Sequence, residues 1–296
     1  MYKSILPADL AGPALQALLQ GAVAPRPIAF AATVDAAGKV NLSPFSFFNI
    51  FSSNPPVVIF SPARRVRDNT TKHTLENVLE VPECTINIVS YDMVQQTSLA
   101  STEYEKGVNE FVKAGFSMEA SDLVKPPRVA ESPVQLECKV LEVKPLGTQG
   151  GAGNLVICEV IKVHIKEAVL DENGRIDPYK IDQVSRLGGD WYSRSNAGLF
   201  TVAKPLTTKG IGVDALPESV RFSRELSGND LGQLGNVEKL PTAEQREAIM
   251  QDADVQEAYR RFSLHAESLE FHLHQLAHRW IEAGRVEDAL ALVMSF

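Results

Sequence analysis

A short basic segment lies within a chain that is acidic overall. Residues 61–78 read SPARRVRDNTTKHTLENV and contain four basic side chains, which are Arg64, Arg65, Arg67 and Lys72. The segment leaves a run typical of a β-strand and enters a pattern typical of a helix. Backbone amides and the positive end of the helix dipole point at such a turn, where Arg, Lys, Ser and Thr can complete an anion site. A solvated loop that only caps a helix has the same composition, so both interpretations stay open on the residues alone.

A second segment combines aromatic and small polar side chains. Residues 41–56 read NLSPFSFFNIFSSNPP, in which serines and asparagines are interspersed with four phenylalanines. A flat and partly polar ring system needs apolar packing together with fixed hydrogen-bond donors at its edge, and this segment can supply both. The alternative is that the phenylalanines form the core of a barrel and the serines form turns. The residues alone do not decide between the two.

Predicted β-strands surround both segments. Residues 27–48 show the alternation of a hairpin, and later runs rich in Val and Ile are bounded by Pro or Gly. These later strands are predicted at 55–62, 84–91, 134–147 and 154–170. Short helices are predicted at 69–80 and 101–114, with Gly115 ending the second. Strands at short spacing favour a mainly β fold, an antiparallel barrel, over a doubly wound sheet.

The pattern changes after residue 195. Residues 196–241 are rich in Gly and Pro without a sustained period, which predicts an irregular linker. One long helical segment follows, with a capping-box pattern at Thr242 and Gln245 and with Gly284 at its end. Its apolar stripe comprises Val255, Tyr259, Phe262, Leu269, Leu273, Leu276 and Trp280. We therefore divide the chain into a first domain, 1–195, and a linker with a helical extension, 196–296, whose stripe is expected to wrap a dimer or to dock another protein.

The overall charge limits the partners. Lys and Arg total 29 and Asp and Glu total 37, so the formal net charge is −8. This balance argues against nucleic acid or an anionic membrane as a partner, and no run reaches the ~20 apolar residues of a membrane helix. Three cysteines lie in apolar runs without metal-ligand spacing, as expected of reduced thiols in a cytoplasmic protein. They are Cys84, Cys138 and Cys158.

Four stretches together resemble the flavin reductase-like family, whose members bind FMN in a split β-barrel. They are APRPIAFAATVDAAGKVNLSPFSFFNIFSSNPPVVIFSP, KHTLENV, INIVS and RLGGDWYSR, and the resemblance covers roughly residues 20–195. It implies an antiparallel split β-barrel of Greek-key type with short helices. It also implies a homodimer that holds FMN near the subunit interface.

The resemblance further implies a set of contacts to the flavin ring. Arg26 and the stretch SPFSFFN would border the ring, with Ser46, Phe47 and Asn49 as direct contacts. Gly189, in RLGGDWYSR, would let the backbone approach the ring closely.

The implied phosphate contacts lie in the basic segment. They are Ser61, Arg64, Lys72 and Thr74, so the positive charge of this segment would offset the phosphate of FMN. Family members usually carry an acidic residue between that lysine and threonine, where this chain has His73. Because of this difference, the local charge and its response to pH are expected to differ from the family pattern.

Other motifs carry less information. The glycine-rich stretch 148–154 lacks the ending of a P-loop and predicts a strand-to-strand loop. Trp191 or Tyr192 would either stack on the ring or close the barrel. Four histidines fall near the C-terminus, where a solvated helix face is favoured over a metal site. These histidines are His265, His272, His274 and His278. We predict no metal ligand and no catalytic side chain.

If FMN binds, the hydride chemistry belongs to the cofactor, and the protein positions it. The predicted function is therefore an NAD(P)H-dependent flavin reductase or a related FMN oxidoreductase. The alternative is an FMN-binding electron carrier of the flavoredoxin type that does not use nicotinamide, with the C-terminal helices as a protein-interaction arm. No separate nicotinamide motif is present to decide between them, and the electron acceptor is either a protein or free flavin.

Overall fold

The computed structural model describes residues 1–205 and 208–296, which form two compact units, 1–200 and 201–296. The predicted irregular segment 196–241 includes residues 206 and 207, which lie outside the described residues. Helices account for 34% of the chain, so the predicted mainly β class describes the first unit and not the whole molecule.

The first unit contains eleven strands in three antiparallel sheets. Its strands are β1 (Ala29–Val34), β2 (Val40–Phe45), β3 (Phe48–Ser53), β4 (Pro56–Phe60), β5 (Glu83–Ile88), β6 (Met118–Glu119), β7 (Arg128–Val129), β8 (Val134–Pro145), β9 (Asn154–Ile165), β10 (Val184–Arg186) and β11 (Tyr192–Arg194). Seven of them form one sheet in the order β2-β1-β5-β8-β9-β4-β3, while β6 pairs with β7 and β10 with β11. The predicted antiparallel sheet is confirmed.

Strand β1, the second strand in the hydrogen-bonded order, is buried on both of its faces. All six of its residues are buried, and their side chains alternate between two core clusters. Phe30 belongs to one cluster and lies edge-on against the ring of Phe116, at 5.1 Å between centroids. Ala29 and Ala31 belong to the other cluster, which includes Phe60. A one-residue slip would exchange the two faces and place alanines where Phe30 packs, so the difference in side-chain size fixes the register.

Ser46 and Phe47 form the connector between β2 and β3. These two strands lie at opposite ends of the hydrogen-bonded order, although they are consecutive in the sequence. The chain therefore turns a corner at two residues that the sequence places in the candidate site.

Four helices accompany the sheet. They are α1 (Gly12–Ala22), α2 (His73–Glu80), α3 (Val94–Leu99) and α4 (Glu110–Ala114). Helix α2 begins four residues later than predicted because Asn69 has a positive φ of 56° and the Asp68 carboxylate accepts hydrogen bonds from the residue two positions on. Helix α4 is shorter than predicted because the Asn109 side chain caps it. Gly115 ends this helix in the left-handed region, as predicted.

The second unit is helical. Its helices are α5 (Glu218–Arg221), α6 (Gly228–Gly235), α7 (Ala243–Ile249), α8 (Ala253–Phe262), α9 (Ala266–Glu282) and α10 (Val286–Val293). The capping box of Thr242 and Gln245 is present, and Gly284 ends α9 at a φ of 79°. The prediction of one long helix is wrong, because Asp252 caps a new helix and the chain breaks again before His265. Residues 196–241, predicted as irregular, contain α5 and α6.

Because the helices are separate, the apolar stripe packs differently from the prediction. Val255, Leu273, Leu276 and Trp280 are buried together in a core made by the second unit itself. Phe262 is the exception, since its ring stacks on the ring of His272 at 3.7 Å. The stripe is therefore covered by neighbouring helices of the same unit, and it does not offer the free surface expected of an interaction arm.

Short 3-10 turns lie between several of these elements. The 3-10 turns are Pro7–Asp9, Tyr91–Met93, Glu167–Val169, Ser195–Gly198 and Val213–Ala215. Within the described ranges, no helix combines the length and the apolar character needed to cross a membrane. The three cysteines are buried and free.

Candidate functional site

Ser61 lies directly after β4 in a fixed position. Its backbone amide donates to the carbonyl of Phe47 at 2.9 Å, and its side chain is buried. The Ser61 Oγ has no hydrogen-bond partner in the described structure. A Cβ at Gly153 would lie 2.7 Å from this oxygen, so glycine leaves the hydroxyl in its place and a larger residue would displace it. The fold therefore holds a buried hydroxyl with unused hydrogen-bonding capacity.

The loop between β8 and β9 supports the turn that follows Ser61. The amide of Arg64 donates to Ala152 at 2.8 Å, and the amide of Gly151 returns a bond to the Arg64 carbonyl at 2.9 Å. The Asn154 side chain donates to the carbonyl of Pro62 at 2.9 Å. The glycine-rich stretch 148–154 is thus a strand-to-strand loop, as predicted, and it packs against the basic segment.

Two of the four basic side chains in the basic segment form ion pairs within the protein. Arg65 lies 3.0 Å from a carboxylate oxygen of Glu103, and Arg67 lies within 3.2 Å of Asp68 and Glu103. Arg64 donates to the Asn69 side chain at 2.7 Å and to the Asn69 carbonyl at 2.6 Å. Sequence reasoning missed Glu103, because an isolated acid distant in the chain gives no signal of where it folds. The three arginines therefore fix the shape of the turn, and two of its positive charges are neutralised by carboxylates.

Lys72 differs from the arginines. Its Nζ makes no hydrogen bond and no ion pair with the described residues, and it lies 5.9 Å from the centroid of the Phe45 ring. That ring contacts Phe60, the residue before Ser61, at 5.3 Å between centroids. Burial, followed by repulsion from Arg65, lowers the pKa of the Lys72 ammonium. Lys72 thus offers a partly buried cation in the same aromatic cluster that carries Ser61.

Thr74 and His73 begin helix α2. Since a helix leaves its first amides without intrahelical acceptors, the amides of these two residues face the turn. The Thr74 side chain is buried and bonds the Asn41 amide group at 2.9 Å, so its hydroxyl is already engaged. Burial is the largest effect on His73 and lowers the pKa of its imidazole, which makes this histidine neutral near pH 7.

Arg26 organises the second part of the site. Its guanidinium donates to the carbonyls of Gln20 and Val23, both at 2.6 Å, and to the carbonyl of Leu187 at 2.9 Å. Its Nε lies 3.5 Å from the Oγ of Ser46. Burial, and then Arg186, lower the pKa of Arg26. The guanidinium therefore ties the end of α1 to the connector and to the β10–β11 hairpin.

Gly189 lies in the turn of that hairpin. It is exposed and has a φ of 58°, a conformation that favours glycine. An added Cβ would meet nothing within 4 Å, so the requirement comes from the backbone and not from a neighbour. The neighbouring Gly188 packs closely, because a Cβ there would lie 3.3 Å from the Cα of Gly21 in α1.

Phe47 and Asn49 lie on the exposed side of the connector and β3. Phe47 is 40% exposed, and the Asn49 side chain accepts a hydrogen bond from the amide of Ile50 at 2.8 Å. Strand β3 lies at one end of the strand order, and its residues Ile50 and Phe51 are 70% and 64% exposed. The edge strand thus presents an apolar surface beside two of the predicted ring contacts.

The structure joins the predicted residues into two groups. Ser46 contacts Arg26, while the next residue, Phe47, accepts the backbone bond from Ser61. One group supplies a hydroxyl, a cation and helix amides, which is the donor set for a phosphate. The other supplies aromatic and polar surface at the connector, which suits the edge of a ring.

Three potential metal ligands meet elsewhere in the first unit. Oxygens of Asp122 and Glu137 and a nitrogen of His164 lie within 4.8 Å of one another. The buried Glu137 already accepts bonds from the amide of Asp122 at 2.9 Å and from His164 at 2.7 Å, while Lys162 pairs with Asp122. The Lys162 ammonium thus already provides the positive charge that a metal ion would bring, and the cluster is a structural network of hydrogen bonds and an ion pair.

The C-terminal histidines have separate partners. His278 lies 3.1 Å from Asp230, and His272 bonds the Ser268 carbonyl at 2.6 Å. His274 is buried and bonds Ser223 at 2.9 Å, so the prediction of a solvated histidine face is wrong at this residue. None of the four belongs to a group of three potential metal ligands in residues 1–205 or 208–296.

Comparisons with known proteins concern the same part of the chain. The family described as "Flavin reductase like domain" matches residues 22–180, within the first unit. An uncharacterized protein of Aquifex aeolicus is 36% identical over 184 residues, which cover 62% of this chain and 91% of that protein.

Solved structures show the same similarity. Nitrilotriacetate monooxygenase component B from Bacillus cereus is 28% identical, with a TM-score of 0.63, over 69% of this chain and 98% of that one. A candidate flavin reductase with a split barrel domain, from Shewanella frigidimarina, is 26% identical, with a TM-score of 0.57, over 67% and 95% of the two chains.

Proposed function

Since the chain belongs to the flavin reductase-like family, we propose that its first unit binds FMN and transfers hydride from NAD(P)H to flavin. The observation that carries this proposal is the buried Ser61 hydroxyl without a partner. A buried polar atom left unpaired costs free energy, so a ligand that bonds it stabilises the folded site. The helix start and the free lysine beside it select an anion as that ligand.

The phosphate end of FMN fits this donor set. Ser61 would donate through its hydroxyl, Lys72 through its ammonium, and His73 and Thr74 through their backbone amides. Lys72 is available because its Nζ has no partner within the described part of the chain. Arg64 would contribute mainly by holding Asn69 and so fixing the turn. The neutral imidazole of His73 adds no charge near pH 7, so Lys72 supplies the main offsetting charge.

The ring would lie at the connector. Arg26 holds Ser46, so the hydroxyl of Ser46 keeps one position from which it can bond a polar ring edge. Phe47 would cover the ring with apolar surface, Asn49 would offer its amide nitrogen, and Gly189 would leave room for close approach. When bound, FMN would supply the hydride chemistry, and the side chains would bind and orient it.

A spectroscopic experiment separates this function from its alternative. Purified protein loaded with FMN is kept without oxygen, and NADH or NADPH is added while the visible spectrum is recorded. Rapid bleaching of the bound flavin is the expected result. Bound flavin that stays oxidised would favour the electron carrier of the flavoredoxin type. Failure to bind FMN at all would contradict the proposal.

We also propose that the first unit forms a homodimer through the β3 edge. Exposed Phe47, Ile50 and Phe51 form an apolar surface at this edge, and such surfaces mark interaction sites. Sedimentation of the full chain should give the mass of a dimer, and Ile50→Lys should shift it toward the monomer. A monomeric wild-type chain would contradict this part of the proposal.

The remaining expectations follow from the same unit. We propose that the sheet closes into a split barrel, because a two-residue connector joins β2 and β3 at the two ends of the strand order. We place the protein in the cytoplasm, where the three buried thiols stay reduced. Alkylation of the denatured protein should find all three thiols free. Either free flavin or a protein accepts the electrons. The net charge of −8 disfavours nucleic acid and anionic membranes as partners.

A further inference from the structure

A cavity of about 590 Å³ lies within the second unit, outside the residues matched by the family. It is bordered by α5, by the residues that follow α5 and by the first half of α9. Its lining includes four glutamates and two phenylalanines, which are Glu218, Glu225, Glu267, Glu270, Phe222 and Phe271. We call it the acidic cavity. Its volume falls in the range of ~300–1,000 Å³ that is usual for small-molecule sites.

His274 lines the acidic cavity and is only 2% exposed. Its Nδ1 lies 2.9 Å from the Oγ of Ser223. That oxygen already accepts hydrogen bonds from the amides of Glu225 and Leu226, at 3.1 and 3.3 Å. Both lone pairs of the hydroxyl are therefore used, and its proton must point at Nδ1. This assigns the ring proton of neutral His274 to Nε2.

The Nε2 of His274 has no hydrogen-bond partner in the described structure. Burial lowers the pKa of the imidazole, against the weaker opposing effects of Glu270 and Glu225, so the ring is neutral near pH 7. The Nε2–H group is thus a buried donor without an acceptor, which costs free energy unless a ligand pairs it. The missing partner is an acceptor such as a carbonyl oxygen.

The charges around the cavity select the sign of the ligand. None of the four glutamates forms an ion pair within residues 208–296, and Arg224 is the only basic residue among the lining side chains. The guanidinium of Arg221 lies 5.6 Å from the centroid of the Phe222 ring and adds a second positive charge beside the cavity. Four negative side chains against two positive side chains still favour a cation. Phe271 is exposed, and the face of such a ring attracts ammonium groups.

We propose that the acidic cavity binds a small alkylammonium compound that also carries a carbonyl acceptor. The ammonium group would lie among the glutamates and beside the Phe271 ring, and the carbonyl oxygen would accept the hydrogen bond from His274 Nε2. This site is separate from the flavin site of the first unit, so its test does not depend on FMN chemistry.

The test uses 5-aminopentanamide, which carries both groups, and measures its binding to the full chain by calorimetry. Pentanamide lacks the charge and pentylamine lacks the acceptor. We expect saturable binding of 5-aminopentanamide, weaker binding of pentylamine and no measurable binding of pentanamide. Binding should also shift the nitrogen resonance of His274 Nε2, and pentylamine should leave this resonance in place.

Matched variants locate the site. Glu270→Gln should weaken binding about threefold, and Glu267→Gln with Glu270→Gln about tenfold, because each exposed ion pair contributes up to ~1 kcal/mol. Glu247→Gln, which removes an exposed charge on α7 outside the cavity, should leave binding unchanged. Absence of saturable binding, equal effects of Glu247→Gln and Glu270→Gln, or binding without a shift at His274 would each overturn the proposal.

Discussion

Both units bury a side-chain atom that lacks a hydrogen-bond partner beside a candidate site. In the first unit this atom is the Oγ of Ser61, and in the second it is the Nε2 of His274. Their surroundings differ in sign, since Ser61 lies in the segment of the unpaired Lys72, while His274 lines a cavity with four glutamates. In each unit the unpaired atom marks the place of a ligand that can bond it. The neighbouring charges then determine the sign of the ligand's charged group, which is negative in the first unit and positive in the second.

The two units also differ in how their cores are made. The core of the first unit is formed by a sheet in which strand β1 is buried on both faces. The core of the second is a helical cluster formed by its own residues, without strands in residues 208–296. If the cores are independent, damage to one should leave the ligand site of the other intact.

The largest effect tests this independence. Leu273→Ala removes a fully buried side chain from the helical core and should lower the free energy of unfolding of the second unit by ~2–5 kcal/mol. Urea unfolding followed by the fluorescence of Trp280, in a Trp191→Phe background, measures this loss. Affinity for FMN should stay unchanged. Leu264→Ala, at a residue 91% exposed, is the control and should cost less than ~0.5 kcal/mol. Loss of FMN binding in Leu273→Ala would show that the units are coupled.

The second prediction concerns the unpaired cation of the first unit. Lys72→Ala should weaken FMN binding by ~1.5–3 kcal/mol, because it removes a charge-assisted hydrogen bond to the phosphate. Fluorescence titration of FMN measures the change. Arg67→Ala is the matched control, since Arg67 lies in the same segment but is exposed and paired with Asp68 and Glu103. Equal losses in the two variants would mean that the segment acts through its total charge and not through Lys72.

The sequence predicted the sheet of the first unit well, because alternation and Pro or Gly boundaries act locally. The strands that contain Val58, Cys138 and Val156 lie within the predicted ranges, and the strand that contains Ile86 begins one residue before its predicted range. The start of α2 was misplaced, since an asparagine at positive φ leaves no pattern in the sequence. The single long helix was wrong for a similar reason, because the breaks before α8 and α9 contain neither Pro nor Gly.

The site was harder to predict than the strands. The basic segment pointed to an anion, but the pairing of Arg65 and Arg67 with Glu103 depends on tertiary packing that the sequence does not show. The role of Gly153 against Ser61 had only a weak signal, the glycine-rich stretch that was predicted as a loop. The burial of His274 could not be inferred from the sequence. This residue lies beside Leu273 at the border of the apolar stripe, where a histidine can be either buried or exposed.

A smaller effect tests the position of the Ser61 hydroxyl. Gly153→Ala would place a Cβ 2.7 Å from the Ser61 Oγ and should displace it, so FMN affinity should fall about tenfold, the value of one lost hydrogen bond. The same fluorescence titration measures this change. Gly198→Ala is the control, because a Cβ there meets nothing within 4 Å. Unchanged affinity in Gly153→Ala would remove Ser61 from the phosphate site and leave the anion to Lys72 and the helix amides.

The smallest effect concerns the dependence of the second unit on pH. Burial lowers the pKa of His274 below its unfolded value of ~6.5, so the unfolded chain binds more protons than the folded chain between the two values. Stability is therefore complete above pH ~6.5 and falls as the pH decreases through that window. Urea midpoints followed by Trp280 should drop between about pH 7.5 and about pH 5.5, and His274→Gln should reduce the drop, while His265→Gln, at an exposed residue, should not. An equal drop in His274→Gln would mean that other groups carry the acid sensitivity and that His274 does not keep its proton on Nε2 alone.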